Sequence, residues 1–334
     1  MRRRSHGCSF LRLVRNDMIQ TALCDLLSIA YPIIQGGMAW VSKAPLVIAV
    51  SEAGGLGVIG GGNAPPDFVA AQIDQVRRQT DRPFGVNIPL FSSYAEQVVQ
   101  LCIEKRVPVV TTGAGSPGVY LEPMRKAGIK VFPVVSAVAL ARRLARQGVD
   151  GLIVEGEESG GHIGQVSTMP LVPQVVDAVD VLVVAAGGIA DGRGLVAALA
   201  LGAAGVQMGT RFICTTECGV HANYKAKIVQ AGDRATIVSG AALGHPVRTI
   251  KNRMSREMAR MEQDAQVSEA ELIAFGTGKL CLAAEEGDVE NGSVMAGQVS
   301  GLVNDILPVA ALIERIMAQA EEQIAALDRL CAWP

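Results

Sequence analysis

The stretch Glu155–Gly164 reads Glu-Gly-Glu-Glu-Ser-Gly-Gly-His-Ile-Gly. It concentrates the residue types that proton handling beside a ligand requires. His162 is the side chain suited to moving a proton near neutral pH. The glycines around it let backbone approach a bound molecule closely. Glu155 stands where the apolar run Gly151–Val154 breaks into charge. A solvated acidic turn would use the same letters, so the meaning of this stretch depends on its surroundings.

Similar polar and Gly-rich clusters end other apolar runs. They are Gln35-Gly36-Gly37-Met38-Ala39, Gly60-Gly61-Gly62-Asn63, Asn87, Thr112-Gly113-Ala114-Gly115, Ala186-Gly187-Gly188-Ile189 and Gln207-Met208-Gly209-Thr210-Arg211. The runs themselves read as strands at Pro32–Ile34, Gly57–Ile59, Phe84–Ile88, Val107–Thr111, Lys130–Val135, Gly151–Val154, Val181–Ala185 and Gly205–Met208. Helical segments fill the gaps at Lys43–Ala53, Pro66–Gln79, Ser93–Lys105, Gly118–Ala127, Ala137–Gln147, Met169–Ala178 and Gly192–Leu201. Pro65 and Pro66 open one helix, and Gly54, Gly128, Gly148 and Gly202 close others. Eight strands alternating with helices predict an α/β protein, a (β/α)8 TIM barrel. An open doubly wound sheet would place a phosphate loop after its first strand. Gly55–Gly60 fits G-x-G-x-x-G in letters, but it runs into a strand instead of opening a helix.

In a barrel these strand ends share one rim, and ligands bind there. Loops after the seventh and eighth strands commonly hold a phosphate through backbone N–H groups and a helix N-terminus. Gly187, Gly188, Gly209 and Thr210 fit that role. No Lys ends a barrel strand to form a Schiff base, and no carboxylate cluster with two His is in place for a metal. Cys214, Cys218 and His221 lack a fourth ligand nearby. Among the histidines, His162 alone lies on a strand-end loop beside glycines; His6 belongs to the N-terminal segment, and His221 and His245 to a later one. A barrel with a phosphate site, neutral polar groups and one histidine suits flavin chemistry, in which the protein supplies orientation and a proton.

Composition narrows the partners. The 334 residues carry a net charge of −2 and only 4% aromatics, which argues against nucleic acid. No uncharged run is long enough and unbroken enough for a membrane span. Seven irregularly spaced cysteines fit reduced thiols and a cytoplasmic setting. Residues 1–17 hold five arginines against one acid and read as a loosely attached or disordered extension. The barrel is expected over 18–214 and 291–334. A smaller helical lid domain, 215–290, is inserted after the eighth strand, and Ala310–Leu327 is expected to close the ring.

At this level the chain resembles a known family. YPIIQGGMAWV (31–41), GGLGVIGGGNAP (54–65), RPFGVNI (82–88), VVTTGAGSP (109–117), GGHIG (160–164), AAGGIADG (185–192), VQMGTRF (206–212), GHPVRTIKN (244–252) and NGSVMAGQ (291–298) are similar to the FMN-dependent enoyl-acyl-carrier-protein reductase II family, relatives of the nitronate monooxygenases. The likeness runs from about Met18 to the C-terminus. It implies FMN at the rim, held by Gly37, Met38, Ala39, Asn87, Glu155, Gly160, Gly187, Gly188, Gln207, Met208, Gly209 and Thr210, with Ser293, Met295 and Gln298 approaching it. It also implies His162 as the active-site histidine, and Glu157 and Glu158 as structural or solvated charges. Ser159 departs from the Ala usual before the Gly pair.

The expected reaction is reduction of trans-2-enoyl thioesters by NADH or NADPH in fatty acid biosynthesis, with an acyl carrier protein presenting the substrate. A monovalent cation and a homodimer are further expectations. Arg248, Lys251, Asn252 and Arg253 are read as facing the carrier or the nicotinamide phosphates. The alternatives are nitronate oxidation by O2 on the same scaffold and a flavin-binding protein without turnover.

Overall fold

The computed structural model describes residues 19–331, so the reading of residues 1–17 lies outside the described residues. Eight parallel strands close into a barrel. They are β1 (Ile33–Gln35), β2 (Leu56–Gly60), β3 (Phe84–Pro89), β4 (Val109–Gly113), β5 (Lys130–Val135), β6 (Gly151–Glu155), β8 (Leu182–Ala186) and β9 (Gly205–Met208), with a two-residue strand β7 (Gly161–His162) outside the ring. The helices between them are α2 (Ala44–Glu52), α3 (Pro66–Gln79), α4 (Ala95–Glu104), α5 (Gly118–Lys126), α6 (Val138–Arg146), α7 (Thr168–Val176) and α8 (Gly192–Ala200). Parallel strands covered on both faces must be apolar throughout, and β2 is buried at every residue. Gly54, Gly128, Gly148 and Gly202 follow helices with φ of 79–94°, the left-handed geometry that ends a helix cheaply on glycine.

Two apolar layers result. One packs the strands against the helices. The other fills the barrel with Ile34, Leu56, Val58, Val109, Phe132, Ile153, Val184 and Ala186. The short helix α1 (Ala22–Leu27) closes this interior from below through Leu23, Cys24 and Leu27. Thr21 ties it to the barrel by donating to the Ala204 carbonyl at 2.5 Å.

Beyond β9 the chain forms α9 (Thr210–Ile213), α10 (Ala222–Val229), α11 (Arg253–Met261), α12 (Glu269–Gly276) and α13 (Lys279–Glu285), then α14 (Val309–Cys331). The last of these packs against α8 and α2 and completes the helical ring. The inserted segment is not purely helical. It adds an antiparallel hairpin, β10 (Thr236–Ser239) and β11 (Val247–Ile250), and β11 pairs with β7 in a three-stranded sheet. Two β-branched runs flanking Gly240 and Gly244 are the signal for it.

Candidate active site

Side chains alternate along a strand, so barrel register decides which residues crown the interior. Around the ring, Gly60 pairs Asn87, Asn87 pairs Thr111, Thr111 pairs Phe132, Glu155 pairs Ala186 and Ala186 pairs Gln207. The same parity places Gly36 above Ile34. The top inward layer is thus Gly36, Gly60, Asn87, Thr111, Val134, Glu155, Ala186 and Gln207. It is a polar crescent above an apolar core, with glycine at two places where neighbours need the space: the Met38–Ala39 backbone against Gly60 and the Gln207 side chain against Gly36. Thr111, Gly36 and Gly60 belong to this layer although sequence reasoning did not assign them to the cofactor. Period-two alternation inside each strand was the available signal.

The first loop is fixed from beneath. Gln35 is fully buried; its amide donates to the Gly36 carbonyl and to Ser42 Oγ at 2.8 Å. Ser42 Oγ in turn accepts the Met38 N–H at 3.0 Å. Gly37 has no room for a side chain, since a Cβ there would lie 2.2 Å from the Asn87 Cβ. Asn87 donates to Thr111 Oγ1 at 2.9 Å. Gly37, Met38, Ala39, Asn87 and Gln207 therefore converge on one side of the mouth. Met208 does not join them: its side chain is 1% exposed and lies in the outer packing layer, because parity turns it away from the mouth.

On the opposite side, the dry walls push Glu155 up from an ordinary 4.5 to about 8, while the Ser159 hydroxyl, hydrogen-bonded to it, pulls the other way. Glu155 is thus largely a neutral acid near pH 7. Its neighbours serve structure. Glu158 accepts from the Thr168 N–H at 2.9 Å and from its hydroxyl at 2.8 Å, capping α7, and Glu157 accepts from Ser167 Oγ at 2.7 Å.

The loop carrying His162 is gripped by the inserted segment. Gly161 pairs Arg248, His162 pairs Val247, and the Ile163 N–H donates to the Pro246 carbonyl at 3.0 Å. Desolvation among its neighbours, and then His245, hold the His162 imidazole below its ordinary 6.5. Gly160 is glycine for a packing reason: a Cβ there would come within 2.7 Å of the Ala296–Gly297 backbone. That backbone belongs to the 293–298 loop, which is stitched to β11 by the Ile250 N–H on the Val294 carbonyl at 2.8 Å. Met295 reaches the Gly161 side of this contact. Ser293 is buried with its N–H on the Lys279 carbonyl at 2.8 Å, and Gln298 is exposed with its N–H on the Glu158 carbonyl at 2.9 Å.

The basic group read as facing a partner is mostly occupied elsewhere. Arg248 is buried, donating from Nε to the Glu157 carbonyl and from Nη1 to Thr236 Oγ1. Asn252 is 2% exposed and makes a reciprocal capping box with Ser255 at the start of α11. Lys251 donates to the Arg234 carbonyl at 2.7 Å. Only Arg253 remains exposed without such a bond. Charge in the sequence pointed outward; strand parity and capping turned two of these side chains inward.

The phosphate expectation divides in the same way. Gly187 and Gly188 follow β8 with φ of 87° and 74°, which only glycine adopts at low cost. The first N–H groups of α8 are already satisfied by Asp191 Oδ1, at 3.0 and 3.2 Å, and by Gln319 Oε1. Donors for an anion must therefore come from the glycine turn and from the Gly209, Thr210 and Arg211 N–H groups, since those of Phe212 and Ile213 both donate to the Gly209 carbonyl, at 2.9 and 3.2 Å. Among the described residues no group of His, Cys, Asp and Glu is arranged for a metal.

Three comparisons bear on this geometry. A family model described as nitronate monooxygenase matches residues 20–98 and 89–319. The solved structure of FabK from Thermotoga maritima is 48% identical with a TM-score of 0.91, covering 94% of this chain and 100% of that one. The (3aS,4S,5R,7aS)-5-hydroxy-7a-methyl-1-oxo-octahydro-1H-indene-4-carboxyl-CoA dehydrogenase of Mycobacterium tuberculosis is 34% identical over 90% of this chain and 96% of its own. A probable nitronate monooxygenase of Staphylococcus saprophyticus is also 34% identical, covering 91% and 98%.

Proposed function

This chain belongs to the nitronate monooxygenase family of flavin-dependent oxidoreductases, and we propose that within it the protein is an enoyl-acyl-carrier-protein reductase. The observation that carries this reading is the neutral polar crescent over a dry barrel, with a histidine clamped at its edge. It is supported by the greater likeness to FabK, at 48%, than to the dehydrogenase or the probable monooxygenase, at 34%.

The residues present fit FMN. Gly60 lets the Met38–Ala39 backbone lie across the mouth, where a Cβ would strike the Met38 carbonyl oxygen at 2.2 Å, so this loop, Asn87, Glu155 and Gln207 would hold the flavin ring; the left-handed turn at Gly187 and Gly188, with Gly209, would offer backbone N–H groups to its phosphate. When bound, FMN supplies two-electron transfer from NADH or NADPH to the β-carbon of an enoyl thioester. The chain's own part is orientation, desolvation and proton control. Asn87 and Gln207 offer amide donors and acceptors. A protonated Glu155 donates a hydrogen bond and adds no negative charge beneath an anionic cofactor. Donors held in place stabilise negative charge as it develops on the thioester oxygen. His162 orients the thioester and hands a proton to its α-carbon. An acyl carrier protein presents the acyl chain, Arg253 is the exposed cation nearest the earlier expectation for that contact, and a homodimer in the cytoplasm is the expected setting. No helix among the described residues is long and apolar enough to cross a membrane.

Incubation of the purified flavoprotein with crotonyl thioester and NADH or NADPH, followed by mass spectrometry, tests the reading. Butyryl thioester is the expected product; none with either reductant would reject it. Nitronate oxidation is the second reading, favoured by the Staphylococcus relative.

A further inference from the structure

The inserted hairpin brings a second imidazole to the mouth. Between β10 and β11 the chain makes a tight turn: the Leu243 and His245 N–H groups both donate to the Gly240 carbonyl, and Gly244 donates to Ala241. Gly240 and Gly244 have φ of 81° and 72°, and a Cβ on Gly240 would strike the His245 carbonyl oxygen at 2.6 Å. The next residue, Pro246, accepts the Ile163 N–H. The backbones that carry the two histidines are therefore locked to each other. Their rings stand 6.5 Å apart, edge to face at 80°. Phe91, from the β3–α4 loop, flanks His162 at 6.1 Å and 55°. His162 is thus held between a barrel loop and the insertion.

We propose that His245 is a positioning residue of the active site, which fixes the orientation and the proton-bound state of His162. The proposal rests on the role given to His162 above. Other charged groups near the loop are engaged elsewhere. Glu157 is bonded to Ser167 and Glu158 to Thr168. Glu155 faces the barrel interior, bonded to Ser159. Arg248 follows Val247, the pairing partner of His162, so it leaves β11 on the other face, toward Glu157 and Thr236. Phe91 carries no charge. His245 remains as the group whose charge acts on His162. A positive charge on His245 discourages a proton on His162. A neutral His162 presents one N–H donor and one acceptor, whereas the charged form presents two donors. By discouraging that extra proton, His245 makes His162 a stronger acid, readier to hand its proton to the α-carbon.

The test is an NMR titration of the His162 Cε1–H resonance in the flavin-loaded protein, in wild type, His245→Gln and His245→Lys. The midpoint is expected to move up in His245→Gln, which removes the competing charge. It is expected to move down in His245→Lys, which makes that charge permanent. The alkaline limb of kcat/KM, where His162 loses the proton it donates, should follow each shift. A merely structural role would not give opposite signs. Equal midpoints in all three proteins would overturn the proposal. Shifted midpoints in a protein whose His162→Gln variant turns over normally would instead remove the catalytic role of His162 and leave the pairing intact.

Discussion

Glu155→Gln isolates the property on which the crescent depends, an uncharged acid at the barrel mouth. The folded state raises this carboxyl from 4.5 to about 8. The folded protein thus holds the proton more tightly than the unfolded chain. The associated stability is fully present below the unfolded value and is lost as pH rises through the folded one. Between those values the loss runs at about 1.4 kcal/mol per pH unit, an upper bound of roughly 5 kcal/mol in total. Water entering the open mouth screens part of this, and about 2 kcal/mol is the expected net effect. Glutamine has the shape of the neutral acid and no proton to release. Urea unfolding at pH 5 and pH 8, at matched flavin content so that ligand linkage cancels, measures the difference. The variant should gain about 2 kcal/mol on wild type between the two pH values. Parallel losses in both proteins would refute the assignment of a neutral Glu155.

Gly37→Ala places a Cβ against Asn87, so it should cost about 1–3 kcal/mol and weaken flavin retention, read by fluorescence of released flavin on dilution; retention equal to wild type would place the flavin away from this loop. His162→Gln should lower enoyl-thioester turnover about 10²–10⁴-fold with an unchanged flavin spectrum, and unchanged turnover would remove the residue from the mechanism. Asn252→Ala removes the α11 capping box and two donations, to the Val289 and Gly292 carbonyls. It should destabilise the inserted segment by about 2–3 kcal/mol, visible as faster hydrogen exchange over 215–290. Unchanged exchange with weaker nicotinamide binding would restore the outward role that the sequence suggested.

The barrel was legible because parallel strands buried on both faces leave continuous apolar runs that stop at glycine. Lys130–Val135 and Gly205–Met208 coincide with β5 and β9, and the other strands differ by no more than two residues at either end. Helix ends were equally clear where Gly54, Gly128, Gly148 and Gly202 take left-handed geometry. The position of His162 on a strand-end loop followed from the same alternation. Less accessible was the direction of individual side chains. Met208 sits in a rim motif yet points outward, while Thr111, in VVTTGAGSP (109–117), crowns the interior although it was not singled out as a site residue. Alternation within each strand groups the residues of one face, and inter-strand register then shows which face is the interior. Arg248 and Asn252 looked like solvent-facing charge and polarity because charge runs usually are; a hairpin pairing and a helix cap bury them instead. The hairpin itself lay in a segment whose charge-rich neighbours suggested helix, and its pairing with Gly161–His162 joins residues more than eighty positions apart.

Anaerobic stopped-flow mixing tests the central claim most directly. The flavin should bleach rapidly with NADH or NADPH and recover its colour when crotonyl thioester is added without oxygen. A flavin that neither reductant bleaches, but that an alkyl nitronate does, would contradict the reductase reading and establish the monooxygenase in its place.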